Sequence, residues 1–153
     1  MNAVISIFGP RTTAVYYDAM EDKVLEVTAV DSRWIISHDR LNISKDRMSN
    51  IFSPGNLRSA SDNKTYQNAI VKYIEDGYTL RYTGGLVVDV YQILIKGHGI
   101  FINCGSKKHP CKLRAMYEAA SIGFLIEKAG GVAITAGGKP LSTYTFRGYD
   151  DRL

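Results

Sequence analysis

Hydrophobic and polar positions alternate in the first quarter of the chain and then shift to a helical period further on. Thr12 to Tyr17, Lys23 to Val30 and Arg33 to His38 are rich in β-branched and aromatic residues, with Glu21-Asp22 and Asp31-Ser32 as turn signals between them. The pattern predicts an antiparallel meander, and the residues just after Met1 are strand-like as well. Asn50 to Ser53 reads as a further short strand, ended by the turn-forming tripeptide Pro54-Gly55-Asn56. From Asp62 to Glu75, Tyr66, Ala69, Ile70, Tyr73 and Ile74 recur at helical spacing, with Asp62 as the expected N-cap and Gly77 as the stop.

Tyr78 to Tyr82 is strand-like again and is broken by Gly84-Gly85. Leu86 to Ile95 fits a helix or a buried strand on periodicity alone; the Gly-Gly before it and Lys96-Gly97 after it favour a helix. Ile100 to Asn103 is expected as a short buried strand, followed by a polar loop to Pro110. A helix is predicted over Lys112 to Ala129, with Leu113, Met116, Tyr117, Ala120 and Phe124 on its apolar stripe and Gly130-Gly131 at its end. Val132 to Thr135 completes the pattern as a strand, and loop sequence follows Gly137. Strands first, then strands interleaved with helices, imply one layered α/β or α+β domain over 1–153 with a mixed sheet.

Composition narrows the class of protein. At 153 residues with 45% hydrophobic positions the chain can bury one core and needs no extended disorder. The most apolar stretch, Tyr82 to Phe101, carries Asp89, Lys96 and His98, so no membrane span is expected. The amino terminus reads as neither a secretory signal nor a transit peptide. Cys104 and Cys111 lack a metal-knuckle spacing and are expected as free thiols in a reducing, cytoplasmic setting. A net charge of +4 favours anionic partners, but it is spread along the chain and no nucleic-acid motif accompanies it.

Several groups suit a phosphorylated small molecule. Arg81-Tyr82-Thr83-Gly84-Gly85 puts a cation, a phenol and a hydroxyl ahead of a turn at a helix start, where backbone N–H groups can approach a phosphate; a plain surface turn has the same composition. Lys112 and Arg114 fall at the predicted helix start, an unfavourable place for cations that an arriving anion would relieve, and Lys107 and Lys108 lie close by or in a solvated loop. By spacing alone Glu118 is a surface or dipole-compensating residue. His38, His98 and His109 share no ligand spacing, so zinc is not expected.

Taken together, four segments resemble the fructose-1,6-bisphosphatase and sedoheptulose-1,7-bisphosphatase family: Phe8-Gly9-Pro10-Arg11-Thr12-Thr13, Ile51 to Arg58, Tyr78 to Val90, and Lys112 to Glu118 with Phe124 to Gly131. Order, spacing and identity agree over nearly the whole chain. Ser-Pro-Gly-Asn-Leu-Arg, Tyr-Thr-Leu-Arg-Tyr-Thr-Gly-Gly and Asn103 look more like the sedoheptulose branch than the fructose branch.

The resemblance implies a layered α/β/α fold with a mixed sheet and flanking helices, as in the C-terminal half of such enzymes. Asn56, Arg81, Tyr82 and Lys112 match residues that hold the phosphate remote from the reaction, and Gly84, Gly85 and Leu86 match the segment against the sugar. Arg58 and Asn103 stand where the fructose enzymes have tyrosines, and Arg114 joins the expected cationic set. Glu118 matches a metal-ligating glutamate, which makes it the expected catalytic and metal residue for Mg²⁺. The family's Asp-Pro-x-Asp-Gly-Ser loop has no counterpart in this sequence, so most magnesium ligands are expected outside the chain.

Two functions are thereby open. One is hydrolysis of a sugar bisphosphate by a homo-oligomer or with a complementing N-terminal half; the other is a catalytically inactive binding or oligomerisation domain.

Overall fold

The computed structural model describes residues 2–44 and 50–153. Strands β1 (Val4–Ile7), β2 (Thr13–Asp18), β3 (Lys23–Val30) and β4 (Arg33–Leu41) form an antiparallel sheet in that order, so the predicted meander is present with one strand ahead of it. The β3–β4 hairpin turns on Asp31 and Ser32, whose φ values of 48° and 60° give the doubly left-handed loop that matches strand twist. Farther from the turn the pairing slips: Val27 faces Ile36, Glu26 faces His38 and Val24 faces Leu41, so β4 carries an extra residue at each step. Such bulges re-aim side chains, and here they bring Ser37 and His38 to the same carboxylate, Glu26.

A second sheet is parallel: β5 (Ile51–Gly55) lies between β6 (Thr79–Leu80) and β7 (Ile100–Asn103). Helix α1 (Lys64–Glu75) joins β5 to β6, and α2 (Leu86–Lys96) joins β6 to β7. The first connection steps to one side of β5 and the second steps back past it. Right-handed crossovers running in opposite directions must place their helices on opposite faces of the sheet. Side chains of β5 agree, since Phe52 meets the ring of α1 Tyr73 at 5.7 Å while Ile51 and α2 Ile93 both close on Gly99.

The parallel sheet thus sits between α1 and α2 as an α/β/α unit. The expected mixed sheet is divided, because the antiparallel strands form their own sheet on the far side of α2 and α3 (Ala120–Lys128). Ile5, Val15, Tyr17, Val24 and Leu41 from that sheet pack on Val90 and Leu94 of α2 and Ile122 and Leu125 of α3 in one buried cluster. Helix α2 touches strands of both sheets, which is why it is apolar on nearly every face and why its period was ambiguous.

Local differences from the sequence reading have physical causes. Pro54 and Gly55 belong to β5 and not to a turn. The backbone of Asn50 and Phe52 bonds toward the β6 side, accepting from Thr79 and Arg81, so Pro54 faces that side beyond the end of β6 and its missing N–H costs no ladder bond. The cap of α1 is Asn63, whose Oδ1 accepts the Tyr66 N–H at 3.0 Å, whereas Asp62 accepts the Lys108 N–H at 3.3 Å. Gly77 does close α1: with φ 73°, it lets Gly77 bond back to Ile74 and Tyr78 to Tyr73.

The long helix starts later than predicted. Lys112 to Arg114 is extended and meets the chain's last residues, with Ala115 N–H bonded to Asp151 and Leu153 N–H to Leu113; one π-helical turn, Ala115–Ala119, then leads into α3. That wide turn rotates the stripe, so Met116 and Tyr117 are exposed while Ala115, Ile122, Leu125 and Ala129 are buried. The strand expected over Val132 to Thr135 is absent. Its only pairing is an Ile134–Pro140 bridge across a tight turn, and Val132, 81% exposed, has no neighbouring strand among the described residues.

Candidate functional site

All three parallel strands point their carboxyl ends the same way, and most of the expected contact residues follow those ends. Asn56 and Arg58 come after β5, Arg81 to Gly85 after β6, and Asn103 is the last residue of β7. Open α/β sheets bind ligands at this edge, because the loops there are free to diverge while the strands hold their roots rigid. Cys111 Sγ lies 3.5 Å from the Asn103 carbonyl, which brings the neighbouring Lys112 to the same edge.

The turn after β6 is held at both ends. Arg81 N–H donates to Phe52 O at 2.9 Å, and the buried Ser53 hydroxyl donates to Arg81 O. Thr83 N–H donates to Asp89 Oδ1 at 2.8 Å, and Gly85 N–H to Thr83 Oγ1 at 3.2 Å. Gly84 adopts φ 87° between them, a conformation that favours glycine. Because Thr83 and Gly85 use their own N–H groups internally, the amides left at the helix start are those of Leu86, Val87 and Val88, the orphan donors of any first turn.

Those three residues line a cleft of about 360 Å³ together with Gly85, Tyr117, Glu118, Ser121 and Ile122, closed on the other side by Val4 to Ser6 of β1. Glu118 and the Gly85–Leu86 segment therefore share one cavity. Glu118 Oε2 accepts the Arg114 N–H at 2.6 Å. In an ordinary helix a residue one position earlier would make that capping contact; the π turn inserts a residue and hands the role to Glu118.

The cations divide into free and committed. Arg58 and Lys112 are exposed and make no ion pair with the described residues, and Tyr82 is exposed as well. Arg81 is exposed, with Nη1 only 3.0 Å from its neighbour's carbonyl, Leu80 O. Arg114 by contrast pairs with Asp150 and lies over the Tyr117 ring at 5.9 Å, so its charge is neutralised within the chain.

Asn56 is committed too: Nδ2 donates to Cys104 O at 2.9 Å and to His109 O at 3.0 Å. It anchors the loop that carries Lys107 and Lys108, assisted by Ser59 on Cys104 O and Asn63 on Gly105 O. Burial pushes the thiols of Cys104 and Cys111 up from their ordinary range, in keeping with unreactive free cysteines.

Residues 45–152 match the family described as Fructose-1-6-bisphosphatase, C-terminal domain. The chain belongs to that family. It is 46% identical over 132 residues to the chloroplastic sedoheptulose-1,7-bisphosphatase of Triticum aestivum, covering 84% of this chain and 32% of the relative. A class 1 fructose-1,6-bisphosphatase of Trichlorobacter lovleyi is 34% identical, over 99% of this chain and 47% of the relative. Among solved structures, a Toxoplasma gondii protein described as a sedoheptulose-1,7 bisphosphatase superposes with a TM-score of 0.86 at 39% identity, over 97% of this chain and 49% of that one. Leishmania major fructose-1,6-bisphosphatase in apo form gives 0.83 at 25% identity, over 99% of this chain and 49% of that one. The chain spans between about a third and a half of the length of these relatives.

Asp89 and Ser53 were not singled out in the sequence, although both grip the glycine turn. The available signal was a lone aspartate inside the apolar run Leu86 to Ile95. Glu26, between Leu25 and Val27, is the same kind of signal in a strand.

Proposed function

We propose that this chain is the sugar-phosphate-binding part of a sugar bisphosphatase of the sedoheptulose type. The observation that carries this reading is the gathering of Arg58, Arg81, Tyr82, Asn103 and Lys112 at the carboxyl edge of one parallel sheet. Free cations and a phenol at that edge suit a phosphate, and Gly85 and Leu86, which follow the Arg81–Tyr82 segment in the chain, line a cleft with Glu118 that the five edge residues themselves do not line. Higher identity to the sedoheptulose relatives named above than to the fructose relatives supports the substrate class.

In this reading Lys112 and Tyr82 hold the far phosphate, and fixing that end orients the scissile one. Magnesium supplies charge stabilisation in such enzymes when bound. Among the described residues no three His, Cys, Asp or Glu side chains are grouped to hold a metal, so these residues do not make a magnesium site by themselves. Glu118 Oε1 would be a single oxygen donor, with the other ligands coming from outside this chain. An oligomer or a complementing segment follows as the expected partner. The plant relatives are named chloroplastic, and no described helix is long and apolar enough to cross a membrane; we place the protein in the cytoplasm or a plastid interior.

Two measurements test this. Titration calorimetry with sedoheptulose-1,7-bisphosphate should show binding that Lys112→Ala weakens about tenfold, the size of one lost charge-assisted bond; unchanged affinity would remove Lys112 from the site. Purified chain with Mg²⁺ and the same sugar should release no phosphate above background, and turnover abolished by Glu118→Ala would refute the incomplete metal site.

A further inference from the structure

Asp89 has no place in the binding scheme above, yet it is fully buried and its environment is unusual. It sits one turn into α2 with 0% exposure, its Oδ1 accepts the Thr83 N–H at 2.8 Å, and its Oδ2 has no hydrogen-bond partner among the described residues. A buried carboxylate with one oxygen unsatisfied is costly to keep, and such groups call for a reason. Leucine or valine, as at the surrounding positions of α2, would fill the space without that cost.

What Asp89 gives in return is the shape of the turn before it. Gly84 at φ 87° reverses the chain, Gly85 caps the helix, and the Asp89 N–H bonds to Gly85 O at 3.0 Å. Strand β5 grips the other end through Ser53 and Phe52. Between these two anchors only Tyr82 and Gly84 are unheld, and both are exposed. The Asp89 carboxylate also occupies the Thr83 N–H, so the amides with no helical partner at this end are those of Leu86 to Val88, residues that line the cleft.

We propose that Asp89 is a positioning residue that locks the Arg81–Gly85 turn in the form that presents Tyr82 and the first-turn amides of α2 to a phosphorylated sugar. The proposal rests on the sugar-phosphate reading of that turn. It assigns Asp89 no contact with the ligand; it acts through Thr83.

The test compares Asp89→Ala, which removes the acceptor, with Asp89→Asn, which keeps an oxygen for Thr83. Amide hydrogen exchange of the free chain reads the turn, and calorimetry with sedoheptulose-1,7-bisphosphate reads its consequence. Asp89→Ala should speed exchange at Thr83 and Gly85 about tenfold while β2 and β3 amides keep their rates, and should weaken affinity about tenfold. Asp89→Asn should restore Thr83 protection and most of the affinity, while Asp89→Leu, which fills the same space with no acceptor, should restore neither, and that difference separates the acceptor from a packing role.

The proposal is overturned if Thr83 stays protected in folded Asp89→Ala, or if Asp89→Asn is folded and loses that protection. Should Asp89→Ala not fold, the Asp89→Asn arm decides alone on the same criterion. Wild-type chain that binds no sugar phosphate, while Thr83 responds as expected, would refute the functional reading and leave the turn lock standing. Binding unaltered in both variants with Thr83 exchange accelerated would refute the link between the turn and the ligand.

Discussion

Replacing Glu26 with alanine is expected to destabilise the fold by about 2–4 kcal/mol, because it removes one buried acceptor shared by four donors. Glu26 has 0% exposure and accepts from Arg11 Nη2 at 3.1 Å, Ser37 Oγ at 2.7 Å and His38 Nδ1 at 2.6 Å, as well as from the Tyr91 hydroxyl. Tyr91 belongs to α2, so this carboxylate ties the antiparallel sheet to the helix that carries the glycine turn. Arg11 Nη2 also bonds the Tyr91 hydroxyl at 2.8 Å, closing a triangle. Alanine leaves the half-buried Tyr91 hydroxyl without its acceptor, whereas Ser37 keeps the backbone carbonyl of residue 26 at 3.3 Å. A urea melt checks this, and a loss under about 1 kcal/mol would contradict the assignment.

Glu26 also gives the stability a pH dependence with a definite sign. Burial pushes its pKa up, but hydrogen bonds from Ser37, Tyr91 and His38 and the charge of Arg11 together outweigh burial and hold it below the ordinary glutamate value. A depressed folded pKa means the contribution is complete above the unfolded value, about 4.3, and is lost as pH falls through the lower folded value. The wild-type chain should therefore lose stability below about pH 4 more steeply than Glu26→Gln, which has no proton to take up there. Parallel acid limbs for the two proteins would show that Glu26 is not held ionised.

Leu125→Ala is the second large effect, about 2–5 kcal/mol by denaturant melt. Leu125 has 0% exposure and closes the cluster formed by Ile5, Val15, Val90 and Leu94, so its loss opens a cavity where α3, α2 and the antiparallel sheet meet. Met116→Ala is the control. Sequence periodicity assigns Met116 to the apolar stripe, whereas the structure leaves it 42% exposed, and its removal should cost no more than about 0.5 kcal/mol. A reversed order, with Met116 costly and Leu125 tolerated, would mean that the π turn is misplaced.

The contrast between those two residues shows where sequence reasoning holds and where it stops. Periodicity located β2, β3 and α1, whereas α2, apolar on nearly every face, is told from a strand only by the glycines that flank it. It misplaced the stripe of the last helix because one π turn shifts the phase, and nothing in Ala115 to Ala119 announces that turn. It cut β5 short because Pro54-Gly55-Asn56 has the composition of a turn; whether an N–H is needed at position 54 depends on the length of β6, a fact of another part of the chain.

The site followed the same division. Family-like motifs named Arg81, Tyr82, Gly85 and Lys112, and the strand ends gather them. Local spacing could not tell that Arg114 is matched by Asp150 or that both amide hydrogens of Asn56 are spent on a loop, because those partners lie 36 to 53 residues away. Asp89 escaped notice for the opposite reason: inside an apolar run it reads as an interruption, and only the bond to Thr83 gives it a purpose.

The capture of a sugar phosphate at the carboxyl edge of the parallel sheet is tested most directly by amide chemical-shift mapping. The ¹⁵N-labelled chain would be titrated with sedoheptulose-1,7-bisphosphate at fixed pH and salt. Saturable shifts are predicted at Arg81 to Val88, at Asn103 and Cys104, and at Lys112 and its neighbours, with β3 and β4 of the antiparallel sheet unmoved. Shifts confined to the antiparallel sheet, or none at millimolar ligand with the chain folded, would contradict the account.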